Sequence, residues 1–220
     1  MHSYKKIDIS TWNRKLNYDY FKTFSNPCYG FDVEMDIDNL YKITKETKTS
    51  FFINMTFILT KALNSIEEMR LRIVNGEVLL YDMIDPTYVI MTKEGYFENG
   101  GNEMSDDYHT FYDRAHKEIE AHKNLEANTT TTFNPDSYDK FYMTCIPWIK
   151  YESMIHPIPD KSIESQSVPR TCFGKYYQKD GRMKILLNIT VSHVLCDGYP
   201  LSKAFMKVQE MLDNASEYLK

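Results

Sequence analysis

Potential catalytic chemistry is concentrated near the C-terminal end of the chain, where residues 189–199 read ITVSHVLCDGY. His193 stands where a strongly apolar segment ends, and Asp197 follows four residues later, with Gly198 directly after it. Burial at such a position would hold an imidazole neutral and in one rotamer, which is what a general base at neutral pH needs. A core histidine bonded to a backbone carbonyl, beside an ordinary Asp-Gly turn, explains the same residues equally well.

The element that must present His193 is a strand, predicted from the alternation of residues 184–191. Because His193 continues the parity of the apolar face, we expect its ring to point into the packed interior. An amphipathic helix is predicted to follow over 199–220. The apolar face of the strand comprises Ile185, Leu187, Ile189 and Val191, and the polar face includes Asn188, Thr190 and Ser192.

Composition narrows the classes of function. A chain of 220 residues can form one large domain, and no shift in composition divides 1–220. The net charge of −5 and the lack of a basic run argue against nucleic-acid binding. No apolar stretch is long enough to span a membrane and no signal-peptide core follows Met1, so we expect a cytoplasmic protein. The four cysteines form no Cys-x-x-Cys pair, which argues against zinc and redox centres.

The motif His-x-x-x-Asp-Gly, between an apolar strand and an amphipathic helix, resembles the active-site signature of the chloramphenicol acetyltransferase family. Dihydrolipoyl acyltransferases and peptide-synthetase condensation domains share that signature. However, the former normally carry lipoyl modules and linkers, and the latter are much longer. Further matches to the chloramphenicol acetyltransferase family are Asp8, Trp12, Arg14 and Lys15 near the N-terminus, Pro147-Trp148, and the segment 171–177.

The resemblance implies roles for five residues. His193 is expected to be the general base, in a direct transfer that needs no covalent acyl-enzyme. Ser153 is expected to donate to the oxyanion, although a plain loop serine is the alternative. Arg14 and Asp197 are expected to form an ion pair that, with Gly198, supports the catalytic loop.

The resemblance also implies the binding surfaces. Acetyl-CoA is the expected co-substrate, with no permanently bound cofactor and no metal, and a homotrimer is expected to hold its sites at subunit interfaces. Lys175 and Tyr176 are the candidate CoA contacts. The candidate acceptor contacts are Tyr20, Phe21, Tyr29, Phe97 and Cys172.

Acetyl transfer to a hydroxyl of chloramphenicol is therefore the expected reaction. Three departures from the family pattern, at Ser192, Cys172 and the Gly100-Gly101 segment, leave a different apolar alcohol open as the acceptor. A non-catalytic binding protein on the same scaffold is the remaining alternative.

The predicted fold class is α/β, a two-layer mixed β-sheet with packed helices, as in the chloramphenicol acetyltransferases. Residues 31–37 and 85–91 alternate as strands, and 51–66 and 106–126 have helical spacing. Residues 70–81 predict a hairpin with Asn75-Gly76 at its turn. Residues 93–101 are irregular, 124–139 are expected to form a surface loop, and Ser10 or Thr11 is expected to cap the first helix.

Overall fold

The computed structural model of the chain describes residues 2–124, 138–160 and 162–220. It has the predicted mixed α/β architecture, with two sheets and packed helices. In chain order the elements are β1 (Tyr4–Lys6), α1 (Lys15–Phe21), β2 (Cys28–Asp36), α2 (Asp38–Thr47), α3 (Phe51–Asn64), a 3₁₀ turn (Glu67–Arg70), β3 (Leu71–Val74), β4 (Glu77–Tyr81), β5 (Asp85–Met91), β6 (Phe97–Gly101), α4 (Tyr108–Lys123), β7 (Lys140–Ile146), α5 (Ile163–Gln166), β8 (Arg170–Gly174), β9 (Tyr177–Lys179), β10 (Arg182–Ser192), α6 (Gly198–Asp213) and α7 (Ala215–Tyr218).

The large sheet is built around β10, the strand that leads to His193. Its seven strands run in the order β2-β10-β8-β7-β5-β6, with β9 also paired to β10. The β5–β7 and β7–β8 pairs are parallel and the others are antiparallel. One face of β10 packs with α2, α3, α4, α6 and α7 in the main core, as the alternation predicts. Its residues on that face are all buried, namely Ile185, Leu187, Ile189 and Val191.

The opposite face of the large sheet is polar, and residues 150–160, which form no helix or strand, cover part of it. Tyr151 lies across the strands, because its hydroxyl donates to the carbonyls of Cys172 (2.8 Å) and Leu186 (3.3 Å). Further along, Arg170 donates to the Ser165 carbonyl at 3.0 Å. Asn188 and Thr190 are buried here with hydrogen-bond partners for their side chains, whereas the buried Ser192 hydroxyl has none in the described part of the chain.

The small sheet, in the order β1-β4-β3, supports the turn that carries His193. Its hairpin turns at Asn75 and Gly76, whose φ values of 51° and 77° are the left-handed geometry that the Asn-Gly pair predicts. A second apolar cluster joins this sheet to α1 and to Val194 and Leu195, directly after the histidine. The turn that carries His193 is therefore packed against the N-terminal part of the chain.

Several local expectations are corrected. Part of the segment 93–101, expected to be irregular, forms β6 against β5. Neither Ser10 nor Thr11 caps α1; both bond to the Asp8 carboxylate, and α1 begins at Lys15 without a side-chain cap. The final helical stretch breaks at Asn214 into α6 and α7. Most of the loop expected over 124–139 lies outside the described residues. No helix in the described part of the chain is long and apolar enough to cross a bilayer.

Candidate active site

A tight turn at the end of β10 presents His193. Its backbone N–H donates to the Pro27 carbonyl at 2.9 Å, which joins the turn to the start of β2. The amides of Leu195 and Cys196 both donate to the Ser192 carbonyl, at 3.0 and 2.9 Å, and close the turn. Helix α6 then begins at Gly198. The backbone around the histidine is therefore fixed on both sides by hydrogen bonds.

The His193 ring is held between two aromatic rings and is not buried in the core. It stacks on Phe21 with a centroid distance of 3.8 Å and an interplanar angle of 16°, and Tyr29 lies 4.6 Å away on a tilt. Its side chain is 32% exposed. The expectation that it points into the interior is wrong, because the strand ends at Ser192 and the parity of the strand does not continue into the turn.

The two ring nitrogens of His193 have different surroundings. Nδ1 lies 3.2 Å from the nearer Asp197 oxygen, but it is closed off from solvent and makes no hydrogen bond within the described part of the chain. Nε2 is not closed off in this way. The accessible nitrogen is therefore Nε2, which is the one that can reach a substrate proton.

An ion pair ties the N-terminal segment to the turn that carries His193. Arg14 donates to Asp197 through Nη2 (2.7 Å) and Nε (3.2 Å), and Nη2 also lies 3.4 Å from the His193 carbonyl. Asn17 donates to the same carboxylate at 3.3 Å. The structure thus brings together the two residues that the resemblance pairs. Because the Arg14 and Asp197 side chains are 12% and 31% exposed, the pair is only partly buried.

Gly198 follows this ion pair, but its lack of a side chain is not required within the chain. A Cβ at this position would meet no heavy atom of the described residues within 4 Å, and its φ is not positive. The structure therefore gives no steric reason within the described chain for glycine at the start of α6.

Two of the predicted acceptor contacts, Phe21 and Tyr29, lie beside His193, and a third, Tyr20, packs against Phe21. Tyr20 and Phe21 belong to an exposed aromatic cluster with Phe24, with centroids 5.0–5.4 Å apart. Burial raises the pKa of the Tyr29 hydroxyl, which stays protonated and donates to the Cys196 carbonyl at 3.2 Å. This side of the histidine is therefore apolar and aromatic.

The other predicted acceptor contacts lie elsewhere on the sheet. Phe97 is exposed on β6, four strands away from β10 and so about 19 Å across the sheet. Cys172 is paired with Asn188, five residues before His193 and so about 17 Å along the strand. Burial raises the pKa of the Cys172 thiol to about 11, so it contributes a small neutral side chain.

Ser153 is exposed in the segment that covers the polar face, and its hydroxyl makes no hydrogen bond within the described part of the chain. The next residue, Met154, is anchored to that face through its carbonyl, which accepts from Asn188 at 3.4 Å. A single chain thus places Ser153 near the middle of β10 and does not bring it to His193.

A second hydroxyl on the polar face was missed in the sequence. Thr144 on β7 is the register partner of Cys172 and shares its face of the sheet. It is half-buried, and its hydroxyl has no hydrogen-bond partner among the described residues. The alternation of residues 141–146 could have indicated it, because Tyr142, Thr144 and Ile146 occupy one side of the strand.

Tyr176 lines a cleft of about 640 Å³ at the far end of the sheet from His193. Its ring lies 5.1 Å from Phe51 at the start of α3 and 5.5 Å from Tyr41. Lys175 is exposed beside it and Lys48 lines the cleft, whereas Lys123, which also lines it, is paired with Glu120 at 2.9 Å. Within the described ranges, no group of three side chains has the geometry to hold a metal ion.

Comparisons with known proteins agree on one family. The model of the family described as chloramphenicol acetyltransferase matches residues 2–209. A chloramphenicol acetyltransferase of Campylobacter coli is 30% identical over 214 residues, covering 96% of this chain and 99% of the relative. One from Klebsiella is 24% identical over 96% of this chain and 94% of its own.

Solved structures share the fold. A chloramphenicol acetyltransferase superposes with a TM-score of 0.86 at 27% identity, covering 96% of this chain and all of the other. A dihydrolipoamide acetyltransferase of Azotobacter vinelandii has a TM-score of 0.69 at 11% identity, covering 94% and 89% of the two chains, which shows a common fold alone.

Proposed function

Since the chain belongs to the chloramphenicol acetyltransferase family, a family of acyltransferase enzymes, we propose that residues 1–220 form one domain that transfers an acetyl group from acetyl-CoA to a hydroxyl of chloramphenicol or a similar apolar alcohol. The observation that carries the proposal is the geometry of His193. Its ring is held by Phe21 and Tyr29, its turn is tied down by Arg14, and its accessible nitrogen faces outward.

In the proposed reaction, Nε2 of His193 takes the proton from the acceptor hydroxyl as that oxygen attacks the thioester carbon. A tetrahedral oxyanion forms and then collapses, and the C–S bond breaks. The proton held by His193 passes to the departing CoA thiolate. The products are the acetyl ester and CoA, and the enzyme returns to its starting protonation state without forming a covalent intermediate.

Two hydroxyls compete for the role of oxyanion donor. Ser153 is supported by the resemblance, and Thr144 by its placement. A donor is most effective when the fold holds it rigidly in a site shielded from water. Thr144 meets that condition better, because it lies half-buried on a strand beside Cys172 whereas Ser153 is exposed.

The cleft beside Tyr176 is the proposed site for the nucleotide end of acetyl-CoA. Tyr176 and Phe51 offer aromatic faces, and Lys48 and the neighbouring Lys175 offer cations for phosphates. Acetyl-CoA enters as a substrate, and no permanently bound cofactor is proposed.

The distances between the candidate groups support sites shared between subunits, and the resemblance to the family supports a homotrimer. Within one chain, His193 is about 17 Å along the sheet from the strand pair that holds Cys172 and Thr144. No hydroxyl-to-thioester reaction can span that gap, since reacting atoms must come within about 3.5 Å. We propose that His193 of one subunit meets the polar face of its neighbour, and that the trimer works in the cytoplasm.

The decisive variant is His193→Ala, assayed by release of CoA in the presence of chloramphenicol. We expect transfer to fall by about a hundredfold or more, because general-base catalysis typically contributes that much. Activity within about tenfold of the parent would show that His193 is not the base.

Thr144→Val and Ser153→Ala then identify the oxyanion donor, because losing a true donor costs about a hundredfold.

Mixed oligomers test the shared site. His193→Ala and Thr144→Trp should each be inactive, the second because the indole fills the half-buried polar surface that carries Thr144. Refolding the two together should restore activity, because some interfaces then combine an intact histidine with an intact polar face. An inactive mixture of correct oligomeric mass would contradict sites shared between subunits.

Growth on chloramphenicol tests the acceptor. A sensitive host that expresses the gene should be protected, whereas a host that expresses His193→Ala should not. Loss of protection with acetyl-CoA binding intact would indicate another apolar alcohol. Slow hydrolysis of acetyl-CoA, with no acceptor found among many alcohols, would favour a non-catalytic binding protein.

A further inference from the structure

Lys48 has a backbone conformation that a lysine side chain disfavours. It follows α2 with φ of 55° and ψ of 30°, the left-handed geometry that glycine adopts most readily at the end of a helix. The other non-glycine residues of the described chain with positive φ are Asn75 and Asp180, and those residue types are enriched in this region. A lysine keeps this geometry only where its surroundings fix it, and residues of this kind are concentrated at functional sites.

A chain of hydrogen bonds fixes the residues on either side of Lys48. The Thr47 hydroxyl donates to the Ile43 carbonyl at 2.8 Å, so the Thr47 oxygen can only accept from Thr49, which lies 2.8 Å away. The Thr49 oxygen in turn accepts from Nδ2 of Asn54 at 2.8 Å. Both neighbours of Lys48 are therefore held by one chain of bonds with a single direction.

Asn54 on α3 is the residue from which this chain of bonds starts. Its side chain is fully buried, and its Oδ1 accepts from the Tyr108 hydroxyl of α4 at 2.7 Å. The second hydrogen of Nδ2 is donated to Thr44 of α2 at 2.8 Å. Because the amide oxygen and both amide hydrogens have partners, the side chain of Asn54 has one orientation. It thus joins three helices next to the turn that carries Lys48.

The same turn forms one wall of the cleft assigned above to acetyl-CoA. Residues 48–53 all line this cleft, and the backbone N–H of Ser50 is fixed by donating to the Tyr112 hydroxyl at 2.9 Å. The ammonium of Lys48 makes no ion pair or hydrogen bond within the described part of the chain. Asn54 does not line the cleft, so it can act on a ligand there only through the turn.

We propose that Asn54 is a positioning residue for acetyl-CoA, because it holds Lys48 in the left-handed conformation that directs the ammonium toward the phosphates of the coenzyme. The inference rests on the proposed binding of acetyl-CoA in this cleft and adds the group that organises it. A donor that is fixed before the ligand arrives loses less conformational entropy on binding, so a fixed lysine binds a phosphate more tightly than a mobile one.

Calorimetric titration with CoA tests the proposal and needs no acetyl transfer. Lys48→Met should weaken CoA binding by about tenfold or more, because a charge-assisted hydrogen bond is lost. Asn54→Ala should weaken it by about threefold or more, because the ammonium remains but is no longer fixed. In the Lys48→Met background, Asn54→Ala should change Kd by less than about twofold, since there is no ammonium left to position. An equal loss in both backgrounds would overturn the proposal.

Two threonines of α2 provide a matched pair of milder variants, which keep the test usable if Asn54→Ala does not fold. Thr47→Val and Thr44→Val each preserve the shape of the side chain and remove one hydroxyl that belongs to this network. Thr47 adjoins Lys48, whereas Thr44 accepts from Asn54 on the side away from the turn. We expect Thr47→Val to weaken CoA binding by about threefold and Thr44→Val to leave it within about twofold of the parent. Equal Kd values for the two variants would contradict the proposal.

Steady-state kinetics distinguish this inference from the proposed function. In Asn54→Ala, KM for acetyl-CoA should rise, while kcat and KM for chloramphenicol change by less than about twofold, because Lys48 lies in the cleft and not on the polar face of the sheet. A parent that binds CoA but transfers no acetyl group would contradict the proposed function and leave the role of Asn54 standing. CoA binding that Lys48→Met does not weaken would overturn the role of Asn54 and leave acetyl transfer standing.

Discussion

The two faces of β10 are buried to a similar extent but are held by different forces. Ile185, Leu187, Ile189 and Val191 are at most 2% exposed against the helices, and Asn188, Thr190 and Ser192 are 2–9% exposed under the covering segment. The first set gains from the removal of apolar surface from water, which is strong and non-directional. The second set needs partners at defined angles and gains little net energy from them.

The comparison indicates that the two faces of β10 have different roles. The apolar face supplies stability and tolerates changes that preserve volume. The polar face fixes the positions of Asn188, Asp32 and His156 relative to one another, because each bond has one acceptable geometry. Substitutions on the two faces should therefore differ in kind as well as in size.

The largest effect is expected from Leu187→Ala on the apolar face. Leu187 is fully buried in the main core, so the cavity should lower the free energy of unfolding by about 2–5 kcal/mol. The matched change on the polar face, Thr190→Ala, loses one hydrogen bond to Asn188 and should cost about 1 kcal/mol. Urea denaturation at one protein concentration measures both, and equal losses would remove the distinction between the faces.

The next effect is expected where both faces end, at the Arg14–Asp197 pair. Asp197→Asn should lower the free energy of unfolding by about 1–3 kcal/mol, below the loss for a fully buried pair, because Asp197 is 31% exposed. Activity should fall as well, because the turn that carries His193 loses the ion pair that joins it to the N-terminal segment. Together with Arg14→Ala it forms a double-mutant cycle. Strictly additive losses would show that the two side chains do not interact in solution.

A smaller effect is expected from Tyr151→Phe, which removes one hydroxyl from the covering segment. The hydroxyl donates to the Cys172 and Leu186 carbonyls, so the loss should be about 1 kcal/mol. Because the segment also carries Ser153 and His156, limited proteolysis within 151–156 should become faster, while β10 stays protected. An unchanged rate of cleavage would mean that the segment is held by other contacts.

The smallest effect is expected on the pH dependence of the free energy of unfolding, and it comes from His156, which packs against the polar face of β10. Burial lowers the pKa of His156 below its ordinary value of 6.5. As the pH falls below 6.5, the unfolded chain therefore takes up a proton before the folded chain does, and stability declines until the folded pKa is passed. His156→Gln should flatten this part of the stability curve, whereas Thr190→Ala should not. The comparison is made by thermal unfolding between pH 7.5 and 5.

The main elements and their buried faces were predictable from the sequence because they follow from periodicity and turn chemistry. The alternation over 184–191 gave both faces of β10, and Asn75-Gly76 gave the hairpin. The orientation of His193 was not predictable, because a turn after Ser192 resets the direction of the side chain. The start of α1 was also misjudged, since Asp8 uses the hydroxyls of Ser10 and Thr11 in a local turn.

The features of the site that were missed depend on contacts between distant segments. The stacking of Phe21 on His193 and the chain from Asp32 through Asn188 to His156 join residues far apart in sequence. Periodicity placed Asn188 on a polar face but gave no indication of its partner. The resemblance paired Arg14 with Asp197, which periodicity alone could not have done.

The pairing of β2 with β10 also means that β2 is synthesised long before its partner strand. The bond between Asp32 and Asn188 joins residues 156 positions apart, and β10 is the only strand of the described chain that pairs with β2. At typical synthesis rates, about 8–30 s pass between the synthesis of β2 and that of β10. Its nine residues meanwhile offer an open edge to other nascent chains. Yield in a host should therefore depend on chaperone supply during translation more than on the stability of the finished protein.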